Sequence, residues 1–244
     1  MRQPIEVIGV PFALGGSKSG PASGPAALIA RGLMSHLSEL SLVARYTDIR
    51  GVSPSSNIFS SAPVHSLPTY SENAVREVTR LAGAHVFAAH RLGRLPVVIG
   101  GDHSVSLGTL PQFLYPAFSY RRKVGLLWLD AHYDAHTPKT SHSHYANGFP
   151  FASALGHGNP SLGWYRNTRT SKKKIRMRFL PQHTLHIGAG GSDCEPEEVA
   201  LLTKLGVKTV TMADMSRTSM GLCMKTLAEF LASVDDVICT FDLM

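Results

Sequence analysis

Val124-Gly125-Leu126-Leu127-Trp128-Leu129 runs without a break into Asp130-Ala131-His132-Tyr133-Asp134-Ala135-His136. A short, continuous apolar run of this kind fits a strand buried on both faces, as in a parallel sheet. Acids and imidazoles that begin where the strand stops lie where an open α/β sheet places its chemistry, in the crevice beyond the carboxyl ends of its strands. The pattern recurs upstream, where Pro96-Val97-Val98-Ile99 leads into Gly100-Gly101-Asp102-His103-Ser104. Asp130, His132 and Asp134 alternate along the chain, so an extended backbone sends all three side chains to one face. Carboxylate–imidazole–carboxylate suits a divalent ion of Mn²⁺ or Zn²⁺ type, and the absence of thiolates argues against a structural zinc cluster.

Working outward, apolar strands alternate with amphipathic helices, the pattern of an α/β fold with a mainly parallel sheet between helical layers. Strands are expected at Glu6–Pro11, Leu42–Asp48, Pro96–Ile99, Val124–Leu129, His183–Gly188, Val207–Met212 and from Val237 onward. Pro25 opens a helix over Ala26–Leu37, since proline fits a first helical turn. Val75, Val78, Leu81, Ala82, Val86 and Ala89 form the apolar stripe of a helix over Glu72–Leu92, after a Ser-rich loop over Gly51–Ser71. Further helices are expected at Pro196–Leu205, closed by Gly206, and at about Met220–Ser233. No repeat or long linker divides the chain, so its 244 residues are read as one domain, 1–244.

Composition narrows the function. Hydrophobic content of 43% and charged content of 17% exclude wholesale disorder. No apolar stretch could span a bilayer, and the N-terminus lacks a signal-peptide core. Three scattered cysteines, Cys194, Cys223 and Cys239, argue against a disulfide framework and point to a reduced, cytoplasmic setting. The net charge of +7 is matched by seven basic residues between Arg166 and Arg178, uninterrupted by any acid. A short basic loop without interleaved stacking aromatics reads as a solvated connection, so neither nucleic acid nor membrane is expected as a partner.

The two strand-end motifs, GGDHS and DAHYD, resemble the first two metal signatures of the arginase/agmatinase (ureohydrolase) family. Thr240-Phe241-Asp242-Leu243-Met244 resembles a third, Ser-Phe-Asp-x-Asp, with Met244 in place of its second carboxylate. The resemblance implies a three-layer αβα sandwich whose C-terminal part is absent here, including a strand that inserts between the third and the seventh. It also implies a manganese-dependent amidinohydrolase that converts a small guanidino compound, such as L-arginine, to urea and an amine. Guanidine carbon is a poor electrophile, and a metal ion that lowers the pKa of water supplies hydroxide for the attack. By the same resemblance His103, Asp130, Asp134 and Asp242 would hold one Mn²⁺. His132, Asp130 and Asp242 would hold a second, weakened by Met244, because a thioether is a poor ligand for that ion. Trimers or hexamers are common in the family.

The segment from His136 to Pro150 resembles the arginase substrate loop more than that of agmatinases. Carried over by position, His136, Ser141 and Ser143 would meet a substrate carboxylate. Asp193 or Glu195 would meet its amino group, unless Asp193 caps the next helix. Asn147 stands where the family has a proton-shuttling His, and an amide cannot move protons near neutral pH. Either His144, with His136 or His142, takes over that work, or these are solvated loop histidines. Asp102 reads as a helix cap or a support for the metal ligands. Two further readings accompany the first, an impaired relative with one or no metal ion and a ureohydrolase of agmatinase or other specificity.

Overall fold

The computed structural model describes residues 2–49, 68–120, 122–159, 162, 165–166, 175–176, 178–190, 194–218 and 220–243. The chain divides into two compact units. The first comprises Met1–Phe113, Ser143–Asn147 and Pro160–Gly163. It is built on a parallel sheet of β1 (Ile5–Gly9), β2 (Ala44–Asp48) and β3 (Leu95–Ile99), in the order β2-β1-β3. Val7 in the centre pairs with Tyr46 on one side and Val97 on the other, and every residue of β1 is buried.

The single helix expected after Pro25 is two, α1 (Gly24–Ala30) and α2 (Leu33–Glu39). Gly32 lies between them at φ +87°, a left-handed backbone that ends one helix and restarts the chain in another. Helix α3 (Pro68–Arg91) begins four residues before the expected Glu72 and buries Val75, Val78, Ala82, Val86 and Ala89 as the stripe required. Helix α4 (Ser106–Tyr120) follows the turn that Asp102 caps and packs closely on α3. A Cβ on Gly108 would stand 2.1 Å from the Thr79 carbonyl oxygen, so glycine there is what lets the two backbones meet.

Glu6 is a charge inside this unit, 5% exposed at the middle of the sheet. It accepts hydrogen bonds from Arg94 Nη1 at 2.5 Å, Thr47 Oγ1 at 2.6 Å and Arg45 Nε at 3.2 Å. Burial alone would push its carboxyl up, but the bonds from Thr47, Arg94 and Arg45 outweigh that and hold it below the ordinary value. A carboxyl with a depressed folded pKa stabilises the fold above its unfolded value, near pH 4.3, and that stability is lost as the pH falls through the folded one. Glu6→Gln is therefore expected to cost about 2 kcal/mol at pH 7 in urea unfolding, and less at pH 3. An equal loss at both pH values would mean that packing, not charge, holds Glu6.

The second unit comprises Leu114–His142, Gly148–Asn159 and Trp164–Met244. In chain order it holds β4 (Val124–Leu129), α5 (Pro150–Ala154), β5 (Tyr165–Arg166), β6 (Ile175–Arg176), β7 (Thr184–Ile187), α6 (Pro196–Leu205), β8 (Lys208–Val210), α7 (Met212–Thr218), α8 (Met220–Ala232) and β9 (Asp236–Phe241). Four of these strands form a parallel sheet in the order β8-β7-β4-β9. Leu127, Leu185, Ile187, Val210, Cys223 and Phe230 make the core between that sheet and α8. The basic stretch carries one short antiparallel pairing, β5 with β6. Parallel sheets with flanking helices make this an α/β fold, and β3 and β9 each lie at an edge of their own sheet. Among the described residues no helix is long and apolar enough to cross a membrane.

Candidate metal centre

The register of the second unit's sheet gathers its acids. Leu129 pairs with Phe241, and the Asp242 amide donates to the Leu129 carbonyl at 2.9 Å, so Asp130 and Asp242 leave neighbouring strands at one level. Asp134 reaches the same place from the loop beyond β4. One carboxylate oxygen from each of Asp130, Asp134 and Asp242 lies within 4.8 Å of the others. Three anionic groups that close repel one another strongly unless protons or a cation intervene. Carboxylate oxygens are hard donors, which favour Mn²⁺ or Mg²⁺ over a soft ion.

Each acid is held by its surroundings. The Asp130 side chain is buried, accepting from the His132 amide at 2.8 Å and from the Trp128 indole Nε1 at 3.2 Å. His132 itself is part-exposed, with Nδ1 3.5 Å from Asp130 Oδ1. Asp134 has φ +45°, a left-handed conformation that Asp tolerates better than most residues. At Gly188 φ is +114°, and a Cβ there would stand 2.7 Å from the Asp130 carbonyl oxygen, so glycine is required opposite the site. Trp128 stacks on Phe151 with centroids 4.4 Å apart, and His186 abuts both Phe151 and Tyr133 edge-on. Burial drives the His186 imidazole down to about 4, so the ring is neutral at pH 7, with Nε2 3.2 Å from the Asp130 carbonyl oxygen.

In the first unit, Asp102 is the cap that its motif suggested. It accepts from the Ser104 amide at 3.0 Å, from the Ser104 hydroxyl and from the Gly15 amide at 2.8 Å. Burial pushes its carboxyl up against those bonds. His103 follows at the start of the short 3₁₀ turn His103–Val105 and is buried. Asn147 lies in a second such turn, its amide donating to the Gly15 carbonyl at 3.0 Å. Ser143 and His144 are exposed, and the Ser143 hydroxyl accepts from the Tyr145 amide at 3.3 Å.

The substrate-loop residues of the second unit divide by exposure. Ser141 is buried. His142 is exposed, as a solvated loop histidine would be, whereas His136 is 8% exposed and faces the start of α6. Its Nε2 stands 3.5 Å from Glu195 Oε2 and 3.7 Å from Glu198 Oε2. Glu195, not Asp193, occupies the N-cap of α6, and a capping box joins it to Glu198. Glu198 also accepts from the Ala135 amide at 2.8 Å, and burial pushes its carboxyl up. Glu198 carries no clear signal in the sequence, because Glu195-x-x-Glu198 has the spacing of such a box without the Ser, Thr, Asp or Asn that usually marks its N-cap. Asp193 and Met244 lie outside the described residues.

The sequence pattern of the Arginase family matches residues 3–243. The chain belongs to the arginase family. A curated arginase from Bacillus caldovelox is 32% identical over 251 residues, covering 99% of this chain and 76% of that protein. The crystal structure of Bacillus subtilis arginase superposes with a TM-score of 0.76 at 27% identity, over 99% of this arginase-family chain and 75% of the other. The fold reaches further, to formimidoylglutamase from Bacillus subtilis, with a TM-score of 0.63 at 18% identity, 99% of this chain and 66% of that one. Membership makes the chain a ureohydrolase-type hydrolase, while so wide a fold leaves the substrate to the site itself.

Proposed function

We propose that this chain hydrolyses the guanidino group of L-arginine, or of a similar small molecule, to urea and an amine such as ornithine, in a manganese-dependent reaction. The observation that supports this reading is the oxygen trio of Asp130, Asp134 and Asp242 at the strand ends. His103 and His132 are the nitrogen donors of the same centre on the strength of their motifs. Manganese, when bound, supplies a hydroxide nucleophile at neutral pH. The family's use of two ions makes Met244 the weak point of the second. The carboxylates offset the charge of the cation, and His136, Ser141 and Ser143 meet a substrate carboxylate while Asp193 meets its amino group. Water adds to the guanidino carbon, the bond to the alkyl nitrogen breaks, and that nitrogen takes a proton. Asn147 can orient the departing amine but has no proton to give, which leaves that proton to His144, with His136 or His142, or to solvent.

One family pattern runs through both units, which supports reading 1–244 as a single domain. Homo-oligomers by analogy with the family, and a cytoplasmic setting on account of three free cysteines, belong to the same reading. Asn147 favours a second reading, a metal-binding scaffold with little or no turnover. Urea release from L-arginine and from agmatine, measured with added Mn²⁺ on chain shown to be folded, separates the readings. Turnover of arginine well above that of agmatine is the expected outcome. Turnover of agmatine alone would make the substrate assignment wrong, and none of either would leave the scaffold.

A further inference from the structure

We propose that His136, His142 and Glu195 form a separate site for a borderline transition-metal ion of the Zn²⁺ type, between the loop after β4 and the start of α6. Both imidazoles converge on one atom. His136 Nε2 and His142 Nε2 each stand 3.5 Å from Glu195 Oε2. Those distances are too long for charge-assisted hydrogen bonds, which close to about 2.7–2.9 Å. They match two edges of a tetrahedron around zinc. Metal–ligand bonds of 2.0–2.2 Å place neighbouring donors about 3.4 Å apart.

The rest of the cluster is arranged as a metal ligand set needs. His136 Nδ1 lies 3.3 Å from Thr140 Oγ1, and that hydroxyl oxygen also accepts from the Thr137 amide at 2.9 Å. An Nδ1–H held there leaves the Nε2 lone pair facing Glu195, which is how a ligating imidazole is oriented. Buried Glu198, with Oε2 3.7 Å from His136 Nε2, adds negative charge behind the site. A carboxylate oxygen of Glu197 lies within 4.8 Å of the donors of His142 and Glu195, available as a fourth ligand. Two nitrogens with one or two carboxylates suit Zn²⁺ or Co²⁺. The ion would tie the loop of Thr137–His142 to α6. It would also occupy His136, proposed above to meet a substrate carboxylate, so that zinc and substrate would compete; that consequence alone depends on the proposed function.

Cobalt reports coordination number directly, because four-coordinate Co²⁺ absorbs visible light far more strongly than six-coordinate Co²⁺. The full chain, stripped with chelator and titrated with Co²⁺, is expected to develop four-coordinate absorption that Zn²⁺ abolishes. His142→Ala, at an exposed position, and Glu195→Gln, which keeps a capping oxygen, should each weaken that signal at least ~10-fold in affinity. Asp134→Asn, which changes no proposed ligand of this site, should retain it. Circular dichroism shows whether each variant is folded. A parent chain without four-coordinate absorption, or the same signal at the same affinity in folded His142→Ala, would overturn the proposal.

Discussion

Asp134→Asn abolishes manganese-dependent urea release and, in chelator, leaves a chain at least as stable as the parent. Both halves of this expected result follow from the carboxylates of Asp130, Asp134 and Asp242, which lie within 4.8 Å of one another. At that separation and an effective dielectric near 20, each like-charged pair costs roughly 3 kcal/mol, a burden that the metal-free chain carries. Replacing one carboxylate with an amide relieves it, so the thermal midpoint without metal should rise by a few degrees. The same change takes an anionic oxygen from a hard cation, which loses several kcal/mol of binding, and activity falls by about 10³-fold. Asparagine is the informative replacement because Asp134 has φ +45°, where Asn is nearly as comfortable as Asp. Asp134→Ala should lose the metal equally but pay about 1 kcal/mol for the left-handed backbone, separating charge from conformation. Calorimetric titration with Mn²⁺ reads the loss even if the parent turns over slowly. Unchanged Mn²⁺ affinity in Asp134→Asn would remove the trio from the metal centre.

What could be read in advance depended on how local its cause was. Strand β4 matches the expected Val124–Leu129 and α6 the expected Pro196–Leu205, because each is bounded by its own sequence: an apolar run into Asp130, and a proline start with a Gly206 stop. The Asp102 cap belongs to the same class. Gly32 was visible too, but a lone glycine in a helical pattern is ordinarily tolerated, and only the left-handed φ shows that it ends the helix. The extent of the helix after Asp102 was hidden by Gly108, Pro111 and Pro116, all of which argue against a helix interior. Packing overrides that propensity, since Leu107, Leu110 and Leu114 are buried and Gly108 is needed against Thr79. At the site, the oxygen trio was legible because two motifs end two paired strands, β4 and β9. The burial of His136 was not, since its carboxylate partners come from Glu195 and Glu198, about sixty residues away in sequence.

Trp128 shows how the core and the site become one problem. Its ring is fully buried and stacked on Phe151 at an interplanar angle of 4°, while Nε1 donates to Asp130 Oδ2 at 3.2 Å. Trp128→Ala is expected to cost about 4 kcal/mol in urea unfolding, the usual penalty for emptying a large aromatic site that cannot collapse. Trp128→Phe keeps most of the stacking and removes only the donor, so its cost should be about 1 kcal/mol. The two variants differ more in packing than in their effect on Asp130, because both leave Oδ2 without its indole partner. Mn²⁺ affinity should therefore fall by a similar ~10-fold in each, although their stabilities differ by about 3 kcal/mol. If affinity instead tracked stability, falling steeply in Trp128→Ala and not at all in Trp128→Phe, the indole would act only as filler. The orientation of Asp130 would then rest on the His132 amide and on the close approach of Gly188.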